Sequence, residues 1–139
     1  MSDPKPVAPK PVALPTPDTQ EWFDRIDAGE LTVPRCRACS SYFLYPRSNC
    51  PRCGGRDVEL VPAAGTGTLA SFVVNHRGPS GFEAPYVLAV VQLAEGPYLM
   101  GNVVTSEPDR LEVDASVRTV FEQRGDRQVV CFELTGATA

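Results

Sequence analysis

The pattern Cys36-Arg-Ala-Cys39, ten residues, then Cys50-Pro-Arg-Cys53 limits what this chain can fold into more than any other stretch of it. Two Cys-x-x-Cys knuckles at this separation form the two halves of a tetrahedral zinc site. Zn²⁺ draws four thiolates to about 2.3 Å, and one tight turn can aim only two of them at a point. A second turn, on the far side of a short hairpin, supplies the other pair, so two short hairpins around the metal are expected. Gly54-Gly55 behind the second knuckle permits the positive φ that such turns need. Pro46 and Pro51 stiffen the approach, and Tyr42, Phe43, Leu44 and Tyr45 are placed to cover the metal. Two disulfides are the other use of four cysteines, but paired CxxC spacing without a secretory leader favours the metal. A redox CxxC would stand alone near a βαβ pattern, which this sequence lacks. Four Cys ligands leave no position for water, so the expected site is closed and structural. The fifth cysteine, Cys131, falls in an apolar run and reads as a core side chain.

The 139 residues suit one domain, or a small module joined to a larger one. A hydrophobic fraction of 42% beside 22% charged residues is that of an ordinary globular protein. No apolar run approaches the roughly 18 to 20 residues of a membrane span, and the N-terminus has no apolar leader segment, so the expected compartment is the cytoplasm. Net charge is −4 but unevenly spread. Residues 31–56 carry Arg35, Arg37, Arg47, Arg52 and Arg56 and no acid, a formal +5 that leaves −9 on the rest. A tetrathiolate zinc centre carries about −2, so part of this excess balances the metal. The remainder either serves solubility or meets phosphates of a nucleic acid or a nucleotide-like cofactor.

Residues 1–16 hold Pro4, Pro6, Pro9, Pro11 and Pro15 with Lys5 and Lys10 between them. Such a segment favours extended polyproline II and builds no core, so it is expected to be a disordered tail. From Thr16-Pro17-Asp18 the pattern turns helical. Thr16 or Asp18 can cap, Trp22, Phe23 and Ile26 follow at helical spacing, and Gly29 can end the helix, which predicts three turns over about 18–28. A helix this short is unstable alone in water. Trp22 and Phe23 must therefore bury against this chain's own core or against a partner.

A zinc ribbon over 31–61 is expected next, then a barrel over 62–139. Five apolar strand-like runs succeed one another in it: Thr68–Asn75, Tyr86–Leu93, Tyr98–Val104, Val117–Gln123 and Val129–Leu134. Ala94-Glu-Gly-Pro97 joins the second and third as a tight hairpin, and Ser106–Asp114 suits a loop or a single helical turn. The fold class is mainly β: an N-terminal helix over 17–30, a rubredoxin-like zinc ribbon, then a five-stranded OB-fold barrel. The ten-residue loop 76–85 is long for a compact domain, and this loop commonly helps form the ligand face of OB barrels. It begins with His76, the single histidine, which has no evident catalytic partner and reads as a packing or hydrogen-bonding residue.

An ordered set of phrases resembles the DUF35 family of zinc-ribbon OB-fold proteins. It comprises Trp22-Phe23, Pro34-Arg35-Cys36-Arg-Ala-Cys39, Tyr45-Pro46-Arg47 before the second knuckle, Gly65-Thr-Gly67-Thr68-Leu69, Phe72-Val-Val-Asn-His76-Arg77, and Pro85-Tyr86-Val87 running into Val91-Gln-Leu93-Ala-Glu95-Gly96. The likeness spans about residues 17–134. Ser40, where a glycine often follows the first knuckle, and Asp114-Ala-Ser-Val117, in place of a glycine-containing phrase, depart from the family pattern. Members of that family accompany thiolase-fold enzymes, either acetoacetyl-CoA thiolases or thiolase-like aldolases that shorten CoA-linked sterol side chains. The resemblance implies a non-catalytic subunit with one structural Zn²⁺ on Cys36, Cys39, Cys50 and Cys53, docked on such an enzyme and helping to form or stabilise its acyl-CoA site. Trp22, Phe23, His76, Arg77 and Phe82 are the candidates for the partner or acyl-CoA interface.

Two other readings compete. Ribbons and OB barrels also bind nucleic acid, but single-strand binders need exposed aromatics among basic residues, and no lysine occurs after residue 62. Weak binding to single-stranded DNA or RNA is therefore expected. An independent enzyme working through His76 or the zinc lacks a nucleophile–base constellation.

Overall fold

The structure, a computed structural model, describes residues 14–77 and 85–135. Most of the 1–16 tail and Phe82 in the 76–85 loop lie outside the described residues.

Among the described residues one helix, α1 (Gln20–Asp27), precedes seven strands: β1 (Thr32–Cys36), β2 (Val58–Pro62), β3 (Thr66–Asn75), β4 (Tyr86–Leu93), β5 (Tyr98–Val103), β6 (Ser116–Arg124) and β7 (Arg127–Leu134). A single 3₁₀ turn at Pro108–Arg110 interrupts the loop before β6. β1 and β2 form a two-stranded sheet, and the other five close into a barrel in the order β3-β4-β5-β7-β6, with β6 returning to β3. That order, with β5 parallel to β7 and every other pair antiparallel, is the OB arrangement.

The helix, expected over about 18–28 with Thr16 or Asp18 as cap, starts two residues later and spans eight residues. Thr19 is the N-cap, and its Oγ1 accepts from the Thr16 backbone N–H at 2.8 Å instead of capping forward. Its C-terminus closes as a Schellman motif: Gly29 N–H donates to Ile26 O at 2.8 Å and Glu30 N–H to Arg25 O at 2.9 Å, with Gly29 at φ 84°. In place of the usual apolar contact, Arg25 and Glu30 are ion-paired at 3.3 Å.

A continuous core runs through all three parts. Trp22 and Ile26 from the helix, Leu31 and Val33 from the ribbon, and Leu69, Val91, Val117 and Phe132 from the barrel belong to one cluster. Gly101 makes room for it, since a Cβ there would stand 3.0 Å from the Phe132 ring. β5 and β7 meet through only two residue pairs, Asn102 with Cys131 and Val103 with Phe132. α1 packs beside that short seam, against β7 and β1. Trp22 Nε1–H donates to Thr32 O at 2.9 Å, fastening the helix to β1. At its other end Asp27 accepts from the Gln128 backbone N–H at 3.0 Å and pairs with Arg127 at 3.1 Å, fastening it to β7.

Candidate metal centre and the cleft beside the helix

The two knuckles are built alike. In the first, Ser40 N–H donates to Cys36 O at 2.7 Å; in the second, Gly54 N–H donates to Cys50 O at 2.8 Å. Both turn-closing residues take the left-handed conformation, φ 63° at Ser40 and 76° at Gly54. Space behind the second knuckle is tight: a Cβ at Gly55 would lie 3.2 Å from Cys53 Sγ. The Gly55 N–H points at that sulfur at 3.4 Å, as Arg52 N–H does at Cys50 Sγ.

This geometry brings Cys36, Cys39, Cys50 and Cys53 together, with all four Sγ atoms within 4.8 Å of one another. Cys36 and Cys53 approach to 3.6 Å, as do Cys39 and Cys50. A regular tetrahedron with Zn–S bonds near 2.3 Å has edges of about 3.8 Å, so the set fits Zn²⁺. The protonation pattern agrees. Ser41, through its side chain and backbone, pulls the Cys39 thiol down to about 6. The Gly55 N–H acts in the same direction on Cys53, but the Cys36, Cys39 and Cys50 sulfurs outweigh it and push that thiol up to about 11. Four thiols this close cannot all ionise without a cation among them.

The expected second hairpin is absent. One isolated bridge, Arg35 with Tyr42, closes the first knuckle, and residues 44–50 reach the second without strand pairing. Of the four residues expected over the metal, only Phe43 packs beside Cys36 and Cys50. Leu44 joins the main core. Tyr42 lies outward with the Arg35 guanidinium 5.9 Å from its ring centroid. Tyr45 crosses to the helix, edge-on to Trp22 at 6.2 Å, where its hydroxyl accepts from Met100 N–H at 3.1 Å.

Acids from β2 and the residue before it meet part of the arginine excess. Arg37 pairs with Asp57 at 3.1 Å and Glu59 at 2.9 Å, and Arg35 with Glu59 at 3.3 Å. The Arg37 hydrogen bond holds the Glu59 carboxyl below its usual range, and Glu59 in turn raises Arg37. Cys131 is fully buried, yet alternation with the inward Val130 and Phe132 puts it on the outer side of β7, 3.7 Å from Glu122. It is thus buried outside the barrel's inner core.

The interface candidates separate. Trp22 is 5% exposed and sits in the chain's own core. Phe23 is half-buried, 5.0 Å from the Trp22 ring centroid and 5.8 Å from the Arg127 guanidinium. Both line a cleft of about 470 Å³ at the β5–β7 seam, together with Tyr45, Leu88, Met100 and Val129. His76 and Arg77 are exposed at the end of β3 and do not line it. Leu88 and Met100 escape a search for anchoring aromatics. Their signal is that β4 and β5 are free of charge on both faces, where a half-solvated strand alternates apolar with charged residues.

A four-thiol knuckle pair on a two-stranded ribbon, strapped by one helix to a closed five-stranded barrel, defines a zinc-ribbon OB-fold protein. Residues 23–59 match the family described as the ChsH2 rubredoxin-like zinc ribbon domain, and residues 60–122 the ChsH2 C-terminal OB-fold domain. The chain belongs to the DUF35 family. A DUF35 domain-containing scaffold protein of Methanothermobacter thermautotrophicus is 32% identical over 123 residues, covering 84% of this chain and 92% of that one. A probable enoyl-CoA hydratase alpha subunit of Thermomonospora curvata is 38% identical over 118 residues, covering 84% of this chain; the chain spans only 37% of that relative's length. The benzoylsuccinyl-CoA thiolase subunit BbsA of Thauera aromatica is 28% identical over 104 residues, covering 72% of each chain. Among solved structures, a chain of the Ltp2-ChsH2(DUF35) aldolase superimposes with a TM-score of 0.81 at 34% identity, covering 90% of this chain and 98% of that one.

Proposed function

We propose that this chain is a non-catalytic accessory subunit that docks on a thiolase-fold enzyme, an aldolase or thiolase acting on an acyl-CoA, and helps form or stabilise its acyl-CoA site. The observation that carries the reading is the superposition on a chain of the Ltp2-ChsH2(DUF35) aldolase, which takes in nearly the whole of each chain. The name of the BbsA relative, a thiolase subunit, supports the same class of enzyme. One Zn²⁺ on Cys36, Cys39, Cys50 and Cys53 is structural: its ligands are all protein thiols, so it offers substrate no open position. Steroid side-chain cleavage is the substrate class the aldolase resemblance favours. No described helix is long and apolar enough to cross a membrane, and the cytoplasm is the proposed compartment.

The hydratase relative favours a second reading, in which the same module serves an enoyl-CoA hydratase subunit. Assays of acyl-CoA turnover by this chain alone, by the thiolase-fold enzyme alone and by both together decide the matter. Activity or solubility of the enzyme should rise with the chain present, while the chain alone turns over nothing. Acyl-CoA turnover by this chain alone sinks the accessory role, and enhancement of a hydratase but not of a thiolase-fold enzyme selects the second reading. Single-stranded DNA should bind weakly at physiological salt; submicromolar affinity favours nucleic-acid binding instead.

A further inference from the structure

The barrel has two unlike outer faces. On β6 and β7 the outward residues include charged pairs, Arg118 with Glu133 and Arg124 with Glu122. On β3, β4 and β5 none of the outward residues is charged. Cross-strand register sets Ser71 beside Val90 and Met100, Val73 beside Leu88 and Asn102, and Gln92 beside Tyr98. Large apolar side chains stand open to solvent on this face: Val73 at 57%, Met100 at 55%, Tyr98 at 54% and Leu88 at 37%. Met100 and Leu88 also line the cleft at the β5–β7 seam, so the face and the cleft are continuous. The charged groups at the cleft are already matched, Arg127 with Asp27 and Arg124 with Glu122.

Charge depletion with aromatic and Met enrichment marks the centre of a protein interface. It also excludes the usual OB ligand. Oligonucleotides lie across this same side of the barrel in OB proteins, and they require basic groups that this face lacks. A charged partner surface would be desolvated here without compensation, so the partner must bring an uncharged, apolar surface of its own. With strands about 4.8 Å apart and a rise of about 3.3 Å per residue, the face covers roughly 250 Å². Stable complexes bury about 800 Å² per partner, so the contact must spread over the cleft and helix, which calls for a folded subunit and not a peptide.

We propose that the uncharged outer face of β3, β4 and β5, with the adjoining cleft, is the surface on which the thiolase-fold subunit docks through an apolar patch of its own. This rests on the accessory role above and specifies its surface. The partner presents aliphatic or aromatic side chains to Leu88 and Met100, and some of them enter the cleft beneath Phe23 and Tyr45.

The test is to co-express the chain with the Ltp2-like chain of the same source and measure the dissociation constant by titration. Met100→Glu and Leu88→Glu should each weaken binding at least tenfold. Val113→Glu, the same change at a position 57% exposed outside the face, should stay within twofold of wild type. Zinc content and melting temperature verify folding of each variant, and Tyr98→Lys substitutes for any that misfolds. If wild type binds and the face variants bind equally well, this surface is wrong while the accessory role stands. If wild type neither binds nor alters the enzyme, the accessory role falls and takes the surface with it. If the chain self-associates and Met100→Glu makes it monomeric without changing enzyme affinity, the face belongs to a second copy and the proposal is overturned.

Discussion

Between Leu69 and Phe132 the barrel carries a succession of fully buried aliphatic side chains, with Phe132 filling the space that Gly101 leaves. Between Arg37 and Asp57 the ribbon buries only Phe43 and Cys50. The barrel is held by apolar area removed from water. The knuckle end has too little of it, and its closure falls to four sulfurs and a metal, as in small domains generally. One chain thus carries two sources of stability, and α1 with β1 joins them.

Loss of the metal should break this comparison most sharply. Structural zinc contributes on the order of 10 kcal/mol to such modules, so Cys50→Ser should leave residues 37–57 open to proteolysis and reduce zinc to well below one per chain. A folded, protease-resistant ribbon without zinc contradicts the assignment. Next is Trp22→Ala, which empties a core site and leaves the Thr32 carbonyl without its donor. A loss of about 3–5 kcal/mol in urea unfolding is expected. The effect belongs to the isolated chain, since Trp22 is buried there; an unchanged midpoint would place the side chain outside the core.

Gly67→Ala probes the barrel alone. Its Cβ would meet Gln92 O at 2.5 Å, where β3 passes from β4 to β6, so a cost of about 1–3 kcal/mol is expected with zinc fully retained. Zinc loss in this variant would show that the two regions do not separate. The smallest effect is expected for Ser40→Gly. Relief of left-handed strain, about 1–2 kcal/mol, is offset by the glycine's unfolded-state entropy and the lost bond from Arg35 to Ser40 Oγ. The net should lie within about 1 kcal/mol, and a larger shift in melting would contradict this balance.

The four-cysteine cluster and all five barrel strands are readable in the sequence because each follows from local spacing: thiols three apart in a turn, apolar runs between turn residues. What is not readable depends on contacts far apart in the chain. Arg37 finds Glu59 twenty-two residues on, and Asp27 finds Gln128 across 101. Neither pairing leaves a local trace. Tyr42–Tyr45 shows the same limit: four adjacent aromatic and aliphatic residues disperse to solvent, metal, core and helix. The two departures from the family pattern become intelligible only in three dimensions. Among the described residues, Ser40 and Asp114 are the only non-glycines with positive φ, 63° and 72°. Both keep the conformation for which glycine is suited.

The short β5–β7 seam has a consequence for the order in which the molecule assembles. The hairpins β3–β4, β4–β5 and β6–β7 join neighbours in sequence and can form early, whereas the contacts that close the barrel join distant residues and must await loop closure. Synthesis proceeds from the N-terminus, so both cysteine pairs leave the ribosome before any barrel strand exists. The ribbon can therefore load its metal before the barrel closes, and the bond between Asp27 and Gln128, 101 residues apart, belongs with the contacts that wait for β7.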